Sequence, residues 1–254
     1  MASFAPPTLL LVAHGSRDPR HAETVRALAA RVRELRPWTR VEVSFLDFNS
    51  PAVPDQLDRL VAEGARDVVA LPLLLTHAFH AKADLPAVLH AASVLHPRLR
   101  LTQAAVLGPS PLLIAAVERR LYETGLRPGD KSSTGVVLAS AGSSDPEAIA
   151  VIAEIARELR HTGWCAVRPA FASAALPRTE DAVRALRTDP GVTRVAVAPY
   201  VLAPGFLPDR IVRGAAQAGA EVVADVLGDC PELAELAVAR YEEAGRPALV
   251  GAAA

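Results

Sequence analysis

The residues best suited to metal or proton chemistry follow three short apolar runs in the first half of the chain. His14 follows the first run, Asp47 follows the second, and His77 and His80 follow the third. If the runs are parallel strands, these side chains meet at the carboxyl edge of one sheet, where ligands of α/β proteins gather. Neutral imidazole and carboxylate bind divalent first-row metals, and imidazole also accepts a proton. The pattern predicts a divalent-metal or proton-transfer site, with His77 either a further ligand or a solvated neighbour.

The elements that must position these residues alternate between strand and helix. Apolar runs rich in Val and Leu are typical of buried parallel strands, and helical periodicity fills the segments between them. Asp18-Pro19 predicts the start of the first helix, as an N-cap followed by a first-turn proline. Such alternation predicts an α/β fold with doubly wound parallel sheets. The first-half strands are predicted over 9–13, 41–46, 68–75 and 101–107.

The chain is a tandem duplication. TLLLVAHGSRDP, which begins at Thr8, matches TGVVLASAGSSDP, which begins at Thr134. The copies stay in step at a spacing of about 127 residues (Asp18 to Asp145), which is too long for a solenoid repeat. We therefore predict two homologous doubly wound domains, 1–126 and 133–254, with a cleft between them. The polar stretch that begins at Arg127 has the composition of a linker.

The second copy separates site residues from scaffold residues. It keeps the equivalent of Asp18-Pro19 as Asp145-Pro146, but it has lost every candidate side chain. A histidine needed to build the fold would have been kept in both copies, so the loss indicates a functional site in the first half. The replacements are Ala141 for His14, Ser173 for Asp47, Pro204 for His77 and Leu207 for His80.

The other histidines are predicted to be structural or solvated. His21, His90 and His96 fall at helical positions, where we expect them to face solvent. His161 is expected at a helix C-terminus, where the helix dipole favours a cationic side chain.

Composition excludes several classes of protein. A net charge of −1, with only 4% aromatic residues and no basic block, argues against nucleic-acid binding. Neither a signal peptide nor a membrane span is recognisable at the N-terminus. Cys165 and Cys230 lie far apart without a CxxC motif, which argues against a disulfide framework or a thiolate metal site. We expect a cytoplasmic protein that is a monomer or a weak homo-oligomer.

Three motifs occur in order along the first half: HGSRDP at His14, FLDFNSP around Asp47, and PLLLTHAFHAKADLP, which contains His80. Together they resemble the motifs of the sirohydrochlorin chelatase family, the class II tetrapyrrole chelatases. The long form of that family is itself two fused homologous halves, so the resemblance covers nearly the whole chain. It implies insertion of Co2+ or Fe2+ into sirohydrochlorin, in cobalamin or sirohaem biosynthesis.

The resemblance also implies roles for individual residues. The metal-binding histidines of the family map onto His14 and His80, and its acidic residue, usually glutamate, maps onto Asp47. His77 departs from the family pattern and is a candidate third metal ligand. The tetrapyrrole carries many carboxylates, so cations are expected at the rim of the cleft. The candidates are Arg17, Arg20 and Lys82 from the first half, with Tyr200, Phe206 and Leu207 as the facing wall from the second half.

Two other functions compete with chelation. The same fold with an additional histidine suits a non-enzymatic metal-binding or delivery protein for nickel or cobalt, because imidazole-rich sites bind nickel well. A His-Gly dipeptide after a strand is also found in histidine phosphatases. In those enzymes an arginine precedes the histidine, whereas Ala13 precedes His14 here. The phosphatase interpretation therefore carries little weight.

Overall fold

The computed structural model describes residues 6–76 and 84–245. His77, His80 and Lys82 lie outside the described residues. The strands are β1 Thr8–Ala13, β2 Val41–Phe45, β3 Asp67–Pro72, β4 Arg100–Gln103, β5 Thr134–Ser140, β6 Ala166–Phe171, β7 Arg194–Tyr200 and β8 Val222–Val223. The helices are α1 Pro19–Leu35, α2 Val53–Ala62, α3 Asp84–Leu95, α4 Pro111–Glu123, α5 Pro146–His161, α6 Thr179–Arg187, α7 Phe206–Gln217 and α8 Pro231–Gly245, and a 3-10 turn covers Pro128–Ser132.

Two four-stranded parallel sheets confirm the predicted fold class. Their strand orders are β2-β1-β3-β4 and β6-β5-β7-β8, so the duplication is visible in the topology. Asp18 and Asp145 cap α1 and α5 as predicted, each accepting a hydrogen bond from the backbone N–H two residues later. The domain limits 1–126 and 133–254 remain predictions.

The strand predictions are correct in place but too long for β3 and β4. The predicted strand over 68–75 ends at Pro72, and the one over 101–107 ends at Gln103. Hydrophobicity extends beyond β3 because Leu73, Leu74 and Leu75 line a cleft at the end of the strand. An apolar run therefore located each strand but overestimated its length, and the predicted burial is wrong for β4, whose four residues are exposed or half-buried.

Each sheet is covered on both faces, and the inner faces share one core. Side chains at alternate positions along β1 point to opposite faces of the sheet. Leu10 and Val12 face α2 and α3, whereas Leu9 and Leu11 face the shared core. In the second half, α6 and α7 cover the outer face. The helices α1, α4, α5 and α8 lie in the layer between the two sheets.

The last helix of each half packs on the sheet of the other half. α4 of the first half contacts β7, and α8 of the second half contacts β3. Side-chain hydrogen bonds fix both crossings. The Tyr241 hydroxyl of α8 donates to the Pro7 carbonyl at 2.7 Å, and Arg120 of α4 donates to the Leu227 carbonyl at 2.8 Å.

No helix within the described residues combines the length and the apolar character needed to cross a membrane.

Candidate functional site

A cleft of about 630 Å³ lies between the two halves at the carboxyl ends of both sheets. The first half contributes the turn after β1, the start of α1 and the segment after β3. The second half contributes the corresponding turn after β5, the start of α5, and the segment from Tyr200 to Pro208. This position agrees with the expected cleft between homologous domains and with the usual binding edge of parallel sheets.

His14 is fixed at the end of β1 by the loop that follows β2. Its backbone carbonyl accepts a hydrogen bond from the Asp47 N–H at 2.9 Å. Gly15 has a φ of 97°, and a Cβ at this position would lie 1.8 Å from the Asp47 carbonyl oxygen. Only glycine fits this turn. The Ser16 N–H then donates to the Asn49 side chain at 2.8 Å, which ties the two loops together.

The second half builds the same turn without the histidine. The Ser173 N–H donates to the Ala141 carbonyl at 3.0 Å, and a Cβ on Gly142 would lie 2.0 Å from the Ser173 carbonyl oxygen. These contacts confirm the predicted equivalence of Ala141 with His14 and of Ser173 with Asp47. The turn therefore forms without an imidazole or a carboxylate.

Asp47 and Arg17 both lie beside Phe48, on the exposed side of this loop. Asp47 is exposed, and its carboxylate accepts the Phe48 N–H at 2.8 Å. The Phe48 ring lies edge-on to His14 at a centroid distance of 6.3 Å and an interplanar angle of 87°. The Arg17 guanidinium lies 5.3 Å from the Phe48 ring centroid. His14, Asp47 and Arg17 are thus all neighbours of Phe48, an aromatic residue not singled out from the sequence.

The prediction that His21 faces solvent is wrong. His21 lies in the first turn of α1, is half-buried, and lines the cleft beside His14. Burial, reinforced by the positive charge that His14 can carry, lowers the pKa of His21 below its usual value. Helical spacing did not predict this position, because it does not show that the face of α1 carrying His21 turns toward the shared core. In the second half, Ala148 occupies the corresponding place in the cleft lining.

The facing wall is uncharged. Tyr200, Phe206 and Leu207 all line the cleft, as expected. Tyr200 is buried and burial raises its pKa, so its hydroxyl stays protonated. Ser140, which the sequence did not single out, pairs in register with Tyr200 on the neighbouring strand. Within the described residues, the titratable side chains of the cleft lining are His14, His21 and Tyr200.

The family model named CbiX matches residues 8–124 and 135–244, which is most of both halves. The chain belongs to the CbiX family. This membership confirms the resemblance inferred from the three motifs, and the double match reproduces the duplication.

Curated relatives of this CbiX chain include two chelatases from bacilli. The sirohydrochlorin cobaltochelatase of Priestia megaterium is 30% identical over 207 residues, which are 80% of this chain and 67% of the relative. The sirohydrochlorin ferrochelatase of Bacillus subtilis is 29% identical over 206 residues, which are 81% of this chain and 77% of the relative. Among solved structures, SirB from Bacillus subtilis with Fe3+ aligns with a TM-score of 0.83 at 26% identity, covering 94% of this chain and 96% of that chain.

One predicted cation of the CbiX site is already engaged by carboxylates. Arg20 pairs with Asp18 and, across the cleft, with Asp209 at 2.7 Å. Hydrogen bonds to both carboxylates raise its pKa. Arg20 therefore joins the two halves at the rim, whereas Arg17 forms no ion pair within residues 6–76 and 84–245. Lys82, the third predicted cation, lies outside the described residues.

The remaining histidines lie away from the cleft. His90 is exposed on α3, and His161 is exposed in the last turn of α5, both as predicted. His96 follows α3 and is only partly exposed, because its ring is hydrogen-bonded to Asp58 at 2.6 Å. The expectation that His96 simply faces solvent is therefore wrong.

The described residues alone do not supply a complete metal-ligand set. No group of three His, Cys, Asp or Glu side chains within residues 6–76 and 84–245 has the arrangement needed to hold a metal ion. His77 and His80, the other predicted ligands, lie outside this part of the chain.

Proposed function

We propose that this chain inserts a divalent metal ion, Co2+ or Fe2+, into sirohydrochlorin as a step of cobalamin or sirohaem biosynthesis. The observation that carries the proposal is the cleft of about 630 Å³, which faces His14 of the first half with an uncharged wall from the second. A flat, largely apolar macrocycle suits such a cleft, and the imidazole edge provides the coordinating group. Membership of the CbiX family and the two relatives named as sirohydrochlorin chelatases support the same reaction.

Metal insertion requires a group that holds the metal loosely and a group that accepts protons. The incoming dication replaces two pyrrole N–H protons, so two protons leave for each metal inserted. We assign metal binding to His14 and His80, with His77 as a further ligand and Asp47 assisting. A neutral imidazole that is not bound to metal can accept a pyrrole proton, so His14 and His80 can divide these roles between them. The exposed Asp47 carboxylate lies beside the turn that holds His14 and can take a proton out to solvent.

The rim cations are assigned to the substrate carboxylates. Arg17 is the strongest candidate because it is exposed next to His14, whereas Arg20 is shared with Asp18 and Asp209. Lys82 is assigned the same role by its place in the third motif. Guanidinium binds carboxylates through two parallel hydrogen bonds, which favours arginine for this contact.

We further infer a cytoplasmic protein that works as a monomer or weak homo-oligomer. Both cysteines are free thiols, in agreement with a reducing compartment. One chain provides both walls of the cleft, so the proposed reaction does not require a second subunit.

The proposed function is tested by following the visible spectrum of sirohydrochlorin mixed with the protein and Co2+, Fe2+ or Ni2+. We expect insertion of Co2+ or Fe2+ faster than without protein. His14→Ala, which installs the second-half residue, and His80→Ala should each lower the rate by about 100-fold or more, as for other proton-transfer and ligand groups. His90→Ala, on the exposed face of α3, is the matched control and should leave the rate unchanged. Tight metal binding with no acceleration by the wild type would instead identify a metal-binding or delivery protein.

A further inference from the structure

Phe48 has a backbone conformation that the fold requires and a side chain that the fold does not require. Its φ is 60°, and the equivalent Ala174 of the second half has a φ of 58°. The left-handed turn is thus a property of the loop in both halves, and alanine is sufficient to form it. A large side chain in this conformation is uncommon. The aromatic ring occurs only in the half that carries His14.

The Phe48 ring contacts two predicted site residues and yet remains open to solvent. It is 51% exposed, although burial of an aromatic ring is favourable. The His14 ring centroid lies 6.3 Å from the Phe48 ring centroid, and the Arg17 guanidinium lies 5.3 Å from it. Phe48 does not itself line the cleft, but it contacts His14, which does, so its exposed ring offers an apolar surface to the part of a bound molecule that extends past His14.

We propose that Phe48 is a substrate-binding residue against which the flat macrocycle of sirohydrochlorin stacks. This inference rests on the proposed function, because the identity of the macrocycle comes from it. Aromatic rings pack favourably against other planar rings in offset or edge-on arrangements. Carboxylate side chains surround the macrocycle, and Arg17 lies on the Phe48 ring where it can meet one of them. Phe48 and Arg17 therefore form one binding unit that recognises a flat ring with acidic substituents.

Titration of sirohydrochlorin into the protein without metal, followed by absorbance, tests this role. Phe48→Ala restores the residue of the second half and is expected to weaken binding by about tenfold, the order of an aromatic stacking contact. Phe48→Trp should bind within about twofold of the wild type, whereas Phe48→Leu should resemble Phe48→Ala. Equal binding by wild type and Phe48→Ala, or by wild type and Phe48→Leu, would overturn the proposal.

Trp38→Ala provides the matched control for removal of an exposed aromatic. Trp38 is 86% exposed and precedes β2, at the opposite edge of the sheet from His14. The Trp38→Ala variant should bind sirohydrochlorin like the wild type. Thermal unfolding midpoints should be alike for Phe48→Ala, Phe48→Leu and Trp38→Ala. A midpoint lowered only by the Phe48 variants would mean that Phe48 supports the fold, which overturns the proposal.

Binding of Co2+ alone distinguishes stacking from a role in orienting His14. We expect Phe48→Ala to bind Co2+ like the wild type while losing affinity for sirohydrochlorin. Lost Co2+ affinity with unchanged sirohydrochlorin binding would overturn the proposal.

The outcomes also separate this inference from the proposed function. If the wild type binds sirohydrochlorin but inserts no metal, the proposed function is rejected, and the Phe48 variants still test stacking. If the wild type inserts metal and Phe48→Ala binds sirohydrochlorin normally, only the stacking proposal is rejected. Absence of sirohydrochlorin binding by the wild type rejects both.

Discussion

At the scale of single residues, the cleft contains a histidine whose protonation opposes folding. Burial lowers the pKa of His21 below its ordinary value of 6.5. The unfolded chain therefore takes up this proton more readily than the folded chain once the pH falls below about 6.5. The stability contributed by neutral His21 is complete above that pH and is lost as the pH falls toward the lower, folded-state pKa.

We expect His21→Ala to flatten the acid dependence of stability. Urea unfolding at pH 7.5 and pH 5 should show a smaller decrease in unfolding free energy for His21→Ala than for the wild type, because the variant has no imidazole to protonate. The decrease is compared rather than the absolute stability, since removal of a half-buried ring also affects packing. His90→Ala, on an exposed helix surface, should retain the wild-type decrease. An equal decrease in all three proteins would show that His21 is not linked to folding.

A second residue-scale prediction concerns the buried hydroxyl of Tyr200. Tyr200 is 2% exposed, and its hydroxyl has no hydrogen-bond partner among residues 6–76 and 84–245. Burial of an unpaired hydroxyl is unfavourable, so Tyr200→Phe should raise the unfolding free energy by about 1 kcal/mol. Tyr241→Phe, which removes a hydroxyl that donates to Pro7, should lower it by about 1 kcal/mol. Chemical denaturation measures both. Destabilisation by Tyr200→Phe would show that this hydroxyl is bonded.

At the scale of elements, the turn between β1 and α1 depends on glycine for two separable reasons. Gly15 needs a left-handed φ, and a Cβ there would lie 1.8 Å from the Asp47 carbonyl oxygen. Gly64 also has a left-handed φ, of 92°, but a Cβ there meets nothing within 4 Å. Gly64→Ala should therefore lose only about 1 kcal/mol of stability, whereas Gly15→Ala should lose about 3 kcal/mol or more. Equal losses, measured by urea unfolding, would mean that the loop after β2 moves away from the added Cβ without any loss of stability.

The sequence predicted these elements because local physics determines them. Asp18 and Asp145 cap their helices as N-cap residues do, and apolar runs located the central strands. Comparison of the two copies identified His14 and Asp47 as dispensable for the turn that carries them, and the hydrogen bonds of that turn agree.

Contacts between elements distant in sequence were not predictable in the same way. His21 was misjudged because helical spacing alone does not say which neighbour covers a given face. The packing of α8 on β3 depends on how the two halves associate, and the sequence pattern of one half alone does not predict that association. Phe48 was not identified because its proposed role rests on a ring contact with His14 and on an exposed position, and a linear pattern reports neither.

At the scale of the whole molecule, the exchange of terminal helices makes the two halves mutually dependent. α8 covers the inner face of β3, including Val69 and Leu71, although it belongs to the second half. α4 belongs to the first half but packs on β7 of the second. Each sheet separated from its partner would expose an apolar face to water, and each terminal helix would lose the sheet that it packs on.

We therefore expect fragment 1–132 to lack a cooperative thermal transition by itself, although it contains a full copy of the repeat. The fragment retains α4 without β7 and exposes the face of β3 that α8 covers, so the shared core cannot close. Mixing it with fragment 133–254 should restore cooperative unfolding and yield one species by gel filtration, because each fragment supplies the helix that the other lacks. Circular dichroism melts of the fragments, their mixture and the intact chain measure this. A sharp transition for 1–132 alone near the midpoint of the intact chain would show that the halves fold independently, and the cleft between them would then be free to open as two rigid bodies.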